Sequence, residues 1–174
     1  TAVAVFSEDG GANFMTAGTV SLDGNNLSAQ TNNSYIYTPG QSNPTGLSFG
    51  STQNWSGTGA GWPSFNASTS VGFPTVTEIS SSDVTMSSGY TLNCGSAVNA
   101  DSIYFSVYGP NGNAMKIIGG GASSYTFSAS ELSGLGAGSG FVQIVGINYD
   151  PQTIGGRSYY ILNETARTKS VNIN

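Results

Sequence analysis

The amino-acid sequence predicts an all-β chain of β-sandwich architecture, and three observations carry the prediction. Apolar residues almost nowhere recur at the three-to-four spacing of an amphipathic helix. Short runs rich in Val, Ile, Phe and Tyr are separated by clusters of Gly, Asn and Pro. The longest run, Ser102-Ile103-Tyr104-Phe105-Ser106-Val107-Tyr108, alternates with the period of two that a pleated strand imposes. Nine Tyr, eight Phe and a hydrophobic content of 37% separate the chain from disordered sequences, which combine low hydrophobicity with high net charge.

A chain of 174 residues can hold one large core or two small ones. Two small domains are expected, residues 1–79 and 80–174, divided at the low-complexity bridge Ile79-Ser80-Ser81-Ser82-Asp83. In the first, residues 3–6, 19–22, 35–37 and 47–49 read as strands, with 74–77 as another before the bridge; Asp23-Gly24-Asn25-Asn26 and Thr38-Pro39-Gly40 read as turns. In the second, strands are expected at 84–86, 90–94, 102–108, 114–118, 125–127, 141–147, 157–162 and 170–173. The Asn111-Gly112 pair after Pro110 suggests a hairpin turn with positive φ angles, and 157–162 is the expected partner of 141–147. The one helical turn is expected at 129–135, capped by Ser128 or Ser130 and stopped by Gly134 and Gly136. The eight short runs of the second domain, with turns every ~8–12 residues, come close to the roughly seven-stranded pattern of an immunoglobulin-like sandwich. The single cysteine, Cys94, lies in an alternating run and is expected to be a small buried hydrophobe.

Charge excludes several partners. Four basic residues oppose nine acidic ones, for a net charge of −5, and Arg157, Arg167 and Lys169 are too dispersed to follow a nucleic acid backbone or an anionic membrane surface. No apolar run approaches the ~20 residues of a membrane-spanning helix.

Catalytic chemistry finds little to use. Gly46-Leu47-Ser48-Phe49-Gly50 matches the nucleophile-elbow pattern, but there is no histidine in the chain to take the Ser48 proton. Glu8 and Asp9 are adjacent, so on a strand they would point to opposite faces rather than act as an acid and base pair. No cofactor and no enzymatic activity are expected. Calcium is conceivable at Glu8, Asp9 and Asn13 or at Asp23, Asn25 and Asn26, whose oxygens suit it, although neither run matches the twelve-residue calcium loop. The glycine strings 57–61 and 134–140 resemble phosphate loops without the helix that such loops need downstream.

Aromatic residues supply the binding candidates. Trp55 and Trp62 flank a glycine-rich loop and, if exposed, would stack on a sugar ring while Asn54 hydrogen-bonds it. The alternative is that both tryptophans cap a sandwich core. Asn-x-Ser/Thr sequons begin at Asn26, Asn32, Asn54, Asn66 and Asn163.

Thr16-Ala17-Gly18-Thr19-Val20-Ser21-Leu22-Asp23-Gly24, Asn54-Trp55-Ser56-Gly57-Thr58-Gly59, Trp62-Pro63-Ser64-Phe65-Asn66 and Gly72-Phe73-Pro74 together resemble the pattern of Bacteroidetes cell-surface lipoproteins of unassigned function. With the immunoglobulin-like half, the resemblance covers most of the chain. It implies a secreted or surface-exposed, extracellular location and no catalytic residues. A start at Thr1 fits a mature product, and any lipid anchor would lie upstream of it. Asp101-Ser102-Ile103 is similar to the short O-glycosylation signal of secreted proteins from these bacteria, with Ser102 as acceptor.

The expectation is a non-enzymatic structural or adhesive protein of the bacterial exterior, assembling with itself or with other envelope proteins through sheet edges such as 3–6 or 170–173, which carry few of the charges that normally blunt an edge. The alternative is a carbohydrate-binding module, with glycans as partners of the exposed tryptophans.

Overall fold

The computed structural model describes residues 1–174. The chain is almost entirely β, in the order β1 (Ala2–Ala4), β2 (Val20–Leu22), β3 (Asn25–Asn26), β4 (Ser28–Ala29), β5 (Tyr35–Tyr37), β6 (Gln53–Gly57), β7 (Phe65–Thr69), β8 (Tyr90–Asn93), β9 (Ser102–Gly109), β10 (Gly112–Gly119), β11 (Ser124–Phe127), α1 (Ala129–Leu132), β12 (Gly138–Ile154) and β13 (Arg157–Ile173). The strands form several antiparallel sheets of sandwich type.

They gather into two compact units, Thr1–Val71 with Pro151–Ile161, and Gly72–Asp150 with Leu162–Asn174. This differs from a division after residue 79 in two respects, each with a packing cause. Val76 and Ile79 are buried in the second core. Ile154, Tyr159 and Ile161 pack against the first, although they come from the far end of the chain. Two glycines join β12 to β13: Gly155 and Gly156 have φ of 58° and 78°, the left-handed pair that a two-residue hairpin turn of matching twist requires. Residues 157–162 therefore return directly from that turn, while Gln143 reaches Thr168 instead, its Nε2 donating to the hydroxyl at 3.1 Å.

In the first unit, Asp23 and Gly24 (φ 47° and 77°) make the same kind of turn between β2 and β3. β2 pairs with β6 and β6 with β7, so that Val20, Leu22, Phe65 and Ala67 face a common core. Gly57 lies across from Phe65, and a Cβ there would collide with the ring. Six of the ten residues of β6 and β7 are Gln, Asn, Ser or Gly, which do not favour strands, and pairing rather than propensity makes them strands. Residues 47–49 and 74–77 form no strand. Leu47 and Phe49 still pack on the core, so the apolar signal reported burial without pairing.

In the second unit a four-stranded sheet, β10-β9-β12-β13, accompanies the pair β11-β8. Ile103, Phe105 and Val107 of β9 and Val142 and Ile144 of β12 are completely buried, together with Leu92, Phe127 and Leu132. Cys94 is buried and unbridged. The β9–β10 turn departs from the expected Asn-Gly type. Its central residues are Pro110 and Asn111, Gly109 pairs with Gly112, and no residue in it has positive φ, because proline's ring holds φ near −65°.

Two acidic side chains secure this unit. Ser128 caps α1, its Oγ accepting from the Glu131 N–H while the Glu131 carboxylate accepts from the Ser128 N–H. Asp83 accepts from the Asn172 backbone and side-chain amides, at 2.9 and 3.2 Å. Bonds to Asn172 hold the Asp83 carboxyl below its ordinary range, and bonds to Ser128 do the same for Glu131. A carboxyl with a depressed folded-state pKa contributes stability above its unfolded pKa, about 3.9 for Asp and 4.3 for Glu, and loses that contribution as pH falls through the folded value. The melting temperature is therefore expected to hold from neutrality to about pH 5 and to fall below about pH 4. Asp83→Asn and Glu131→Gln should lower it at pH 7 and converge on the unsubstituted protein in acid, as followed by thermal denaturation across pH. Gly57→Ala is expected to cost about 1–3 kcal/mol in urea titration, since Phe65 must leave its position.

Candidate functional site

Trp62 is a core residue, 5% exposed. Its ring lies 5.6 Å from Phe6 and edge-on to Tyr159 at 6.0 Å, and its Nε1 donates to the Tyr159 hydroxyl at 2.8 Å. The Arg157 guanidinium covers the indole 4.2 Å from the ring centroid and pairs with Glu8 at 2.5 Å. Buried, covered by Arg157 and with its N–H engaged, Trp62 offers no platform to a sugar. Trp55 is half-buried on the core side of β6, packed against the same cluster. Asn54, one residue earlier, is exposed on the opposite side, where its backbone and side-chain amides donate to Asp23 Oδ1. The structure thus corrects the sugar-stacking trio: Trp55, Trp62 and Asn54 share no exposed face.

The carboxylate runs are structural turns. Asp9 accepts from the Ser7 hydroxyl and from the Asn13 backbone and side-chain amides, bonds that push its pKa well down and keep it ionised. Asp23 is committed to Asn54. No group of three or more Cys, Asp or Glu side chains is placed to hold a metal. Ser48 is exposed in a segment without a following helix, so no nucleophile elbow forms. Ser102 opens β9, half-buried between Gly119 and Ile147. A shallow open depression is lined by Asn26, Gln30, Tyr37 and Asn43, and within it Asn43 donates to the Tyr37 hydroxyl.

The surface feature that stands out is the outer face of the β10-β9-β12-β13 sheet. Alternation places Ile103, Phe105, Val107, Val142 and Ile144 inward, and therefore Tyr104, Ser106, Tyr108, Met115, Ile117, Phe141 and Val145 outward. Met115 is 53% exposed, Ile117 49% and Phe141 39%. Tyr108 and Phe141 stack across the strands at 4.4 Å with their planes 16° apart. The charged residues of these strands stand elsewhere: Lys116 reaches inward over the Tyr125 ring, Arg167 donates to the Val76 carbonyl and Lys169 to the Ser81 carbonyl. Glu164, at the β13 margin, is the charge that alternation leaves on the outer side. The signal for this face was present in residues 114–118, Ala-Met-Lys-Ile-Ile, where apolar side chains occur on both parities of one strand.

The sheet edges match expectation only in part. Residues 170–173 are covered: Val84 bridges Ile173 in parallel, the Val84 N–H donates to the Asn172 carbonyl and the Asn174 N–H to the Val84 carbonyl. At the N-terminus Ala2–Ala4 is the outer strand of the β1-β5-β4 sheet with Val3 exposed, so the expected edge at 3–6 is present over its first part; the strand ends at Ala4, and the Phe6 carbonyl already accepts from the Met15 N–H.

Comparison with protein-family models, with curated proteins and with solved structures finds no match to this chain.

Trp62→Ala is expected to cost about 3–5 kcal/mol by denaturant titration. Arg157→Ala should cost about 0.5–2 kcal/mol, with Arg157→Lys between it and the unsubstituted protein, because lysine keeps the charge toward Glu8 but lacks the planar group that stacks on indole.

Proposed function

We propose that this chain is a non-enzymatic structural or adhesive protein of a bacterial cell exterior, which works by presenting β-surfaces and by assembling with copies of itself or with other envelope proteins. The observation that carries the reading is the outer face of the second unit's large sheet, where Met115, Ile117 and Phe141 stand exposed beside Tyr108 and Glu164 is the one charge. Contiguous exposed apolar surface on a water-soluble domain marks an interaction site, and the stacked Tyr108–Phe141 pair with Met115 and Ile117 supplies the aromatic and thioether side chains that such sites favour. The state of the carboxylates supports a role without catalysis. Asp9, Asp83 and Glu131 are spent on capping and turn bonds that favour the ionised form, whereas a general acid needs a raised pKa.

The second unit is read as immunoglobulin-like. Two antiparallel sheets contribute to one core, and the entering segment bridges both, Ile79 to Cys94 and Val84 to Ile173. The resemblance of the glycine- and tryptophan-containing motifs to Bacteroidetes surface lipoproteins supports the extracellular placement. The deciding experiment is the mass of the native protein, purified from its source, by size-exclusion chromatography with light scattering and electron microscopy of the same fraction. Oligomers or a defined envelope complex are expected. A monomer at high concentration that binds no envelope component would contradict the proposal.

A further inference from the structure

The outer edge of β10 is open, regular and eight residues long. Gly109 and Gly112 close a two-residue loop and form a hydrogen-bonded pair, so ladder bonds recur at Ala114, Lys116 and Ile118, opposite Val107, Phe105 and Ile103. Asn113, Met115 and Ile117 consequently aim their N–H and C=O groups away from β9, where no hydrogen bond of the fold meets them. The register with β9 runs from Gly112 to Gly119 without a bulge, and the strand contains no proline. Its single charge, Lys116, is drawn inward over Tyr125 at 5.8 Å rather than standing guard on the edge. Edges of this kind are normally blunted by charge, proline, bulges or a covering segment. The chain does so elsewhere: residues 83–86 cover the end of β13, and the Gln152 side chain donates to the Ser68 carbonyl on β7.

We propose that this edge is a self-association site, at which β10 of one copy pairs antiparallel with β10 of a second copy about a two-fold axis, joining two four-stranded sheets into one. The inference rests on the reading above that the chain assembles with itself, and it names the surface. Charge and side-chain order favour a second copy as the occupant. A register that sets Met115 against its own counterpart puts Asn113 across from Ile117 and Lys116 across from Ala114, so that no like charges meet although each chain carries −5. Sliding by one bonded position sets Lys116 against Lys116 and is disfavoured. A second copy also brings a second set of the same side chains, so the apolar surface of Met115, Ile117, Tyr108 and Phe141 continues across the junction, away from Glu164 on the far strand β13.

The test is sedimentation of the full-length chain from micromolar to millimolar concentration, with amide hydrogen exchange on the same samples. A monomer–dimer equilibrium is expected, with exchange at Asn113, Met115 and Ile117 slowing as dimer forms. Met115→Pro removes an outward N–H while sparing the β9 ladder, and Met115→Lys keeps the backbone intact while placing two ammonium groups opposite each other. Each should raise the dimer Kd at least about tenfold, with Met115→Lys decisive if the proline variant fails to fold. A dimer unaffected by Met115→Lys would overturn the β10 site and leave self-assembly standing. A protein that stays monomeric throughout would overturn both the site and self-association, leaving partnership with other envelope proteins to the native-complex measurement.

Discussion

One hairpin turn organises both halves of the molecule. Gly155 and Gly156 adopt paired left-handed conformations that side-chain-bearing residues rarely reach, and they fold β12 directly onto β13. The stem of that hairpin supplies Val142, Ile144, Val171 and Ile173 to the second core. Its tip supplies Ile154, Tyr159 and Ile161 to the first, with Arg157 clasping Trp62 and Glu8. Each small core therefore depends on residues more than 80 positions away from part of its lining, a long-range closure that is costly in chain entropy and is offset by aromatic burial around Phe6, Trp62 and Phe65.

A chain with 7% charged residues cannot rely on ion pairs, and its polar side chains do the corresponding work through short-range bonds. Ser128 with Glu131, Asp83 with Asn172, Asp23 with Asn54 and Tyr35 with the Ala17 amide each satisfy backbone groups that loops would otherwise leave exposed. This economy has a consequence at the surface. With the few lysines and arginines engaged on backbone carbonyls, aromatic rings or carboxylates, the large sheet keeps an outer face whose one charge is Glu164 and an edge, β10, that charge does not protect.

Much of the fold could be read from the chain. Period-two alternation located β9, the apolar run at 141–147 located part of β12, the Asp-Gly pair located the β2–β3 turn, and Ser128 with the following residues located α1. What was illegible has physical reasons. β6 and β7 are paired by register rather than by propensity, so their Gln, Asn, Ser and Gly residues hid them. Pro110 overrides the Asn-Gly signal beside it. Exposure of a tryptophan is a property of tertiary packing, and nothing near Trp62 in sequence announces that Tyr159 and Arg157 will enclose it. Open edges were expected at 3–6 and 170–173; β1 does lie at a sheet edge, whereas the end of β13 is covered by Val84 and β10 is open, because which strand is covered depends on residues that lie far away along the chain.

The claim that the hairpin tip is part of the first core, rather than a projecting loop, is tested most directly by residue-resolved amide hydrogen exchange on the native chain. Cooperative units exchange together. The account predicts that the slowest amides of residues 157–161 exchange at the same free energy as those of β2 and β6. Exchange at those positions at loop-like rates, while β2 and β6 stay protected, would contradict it.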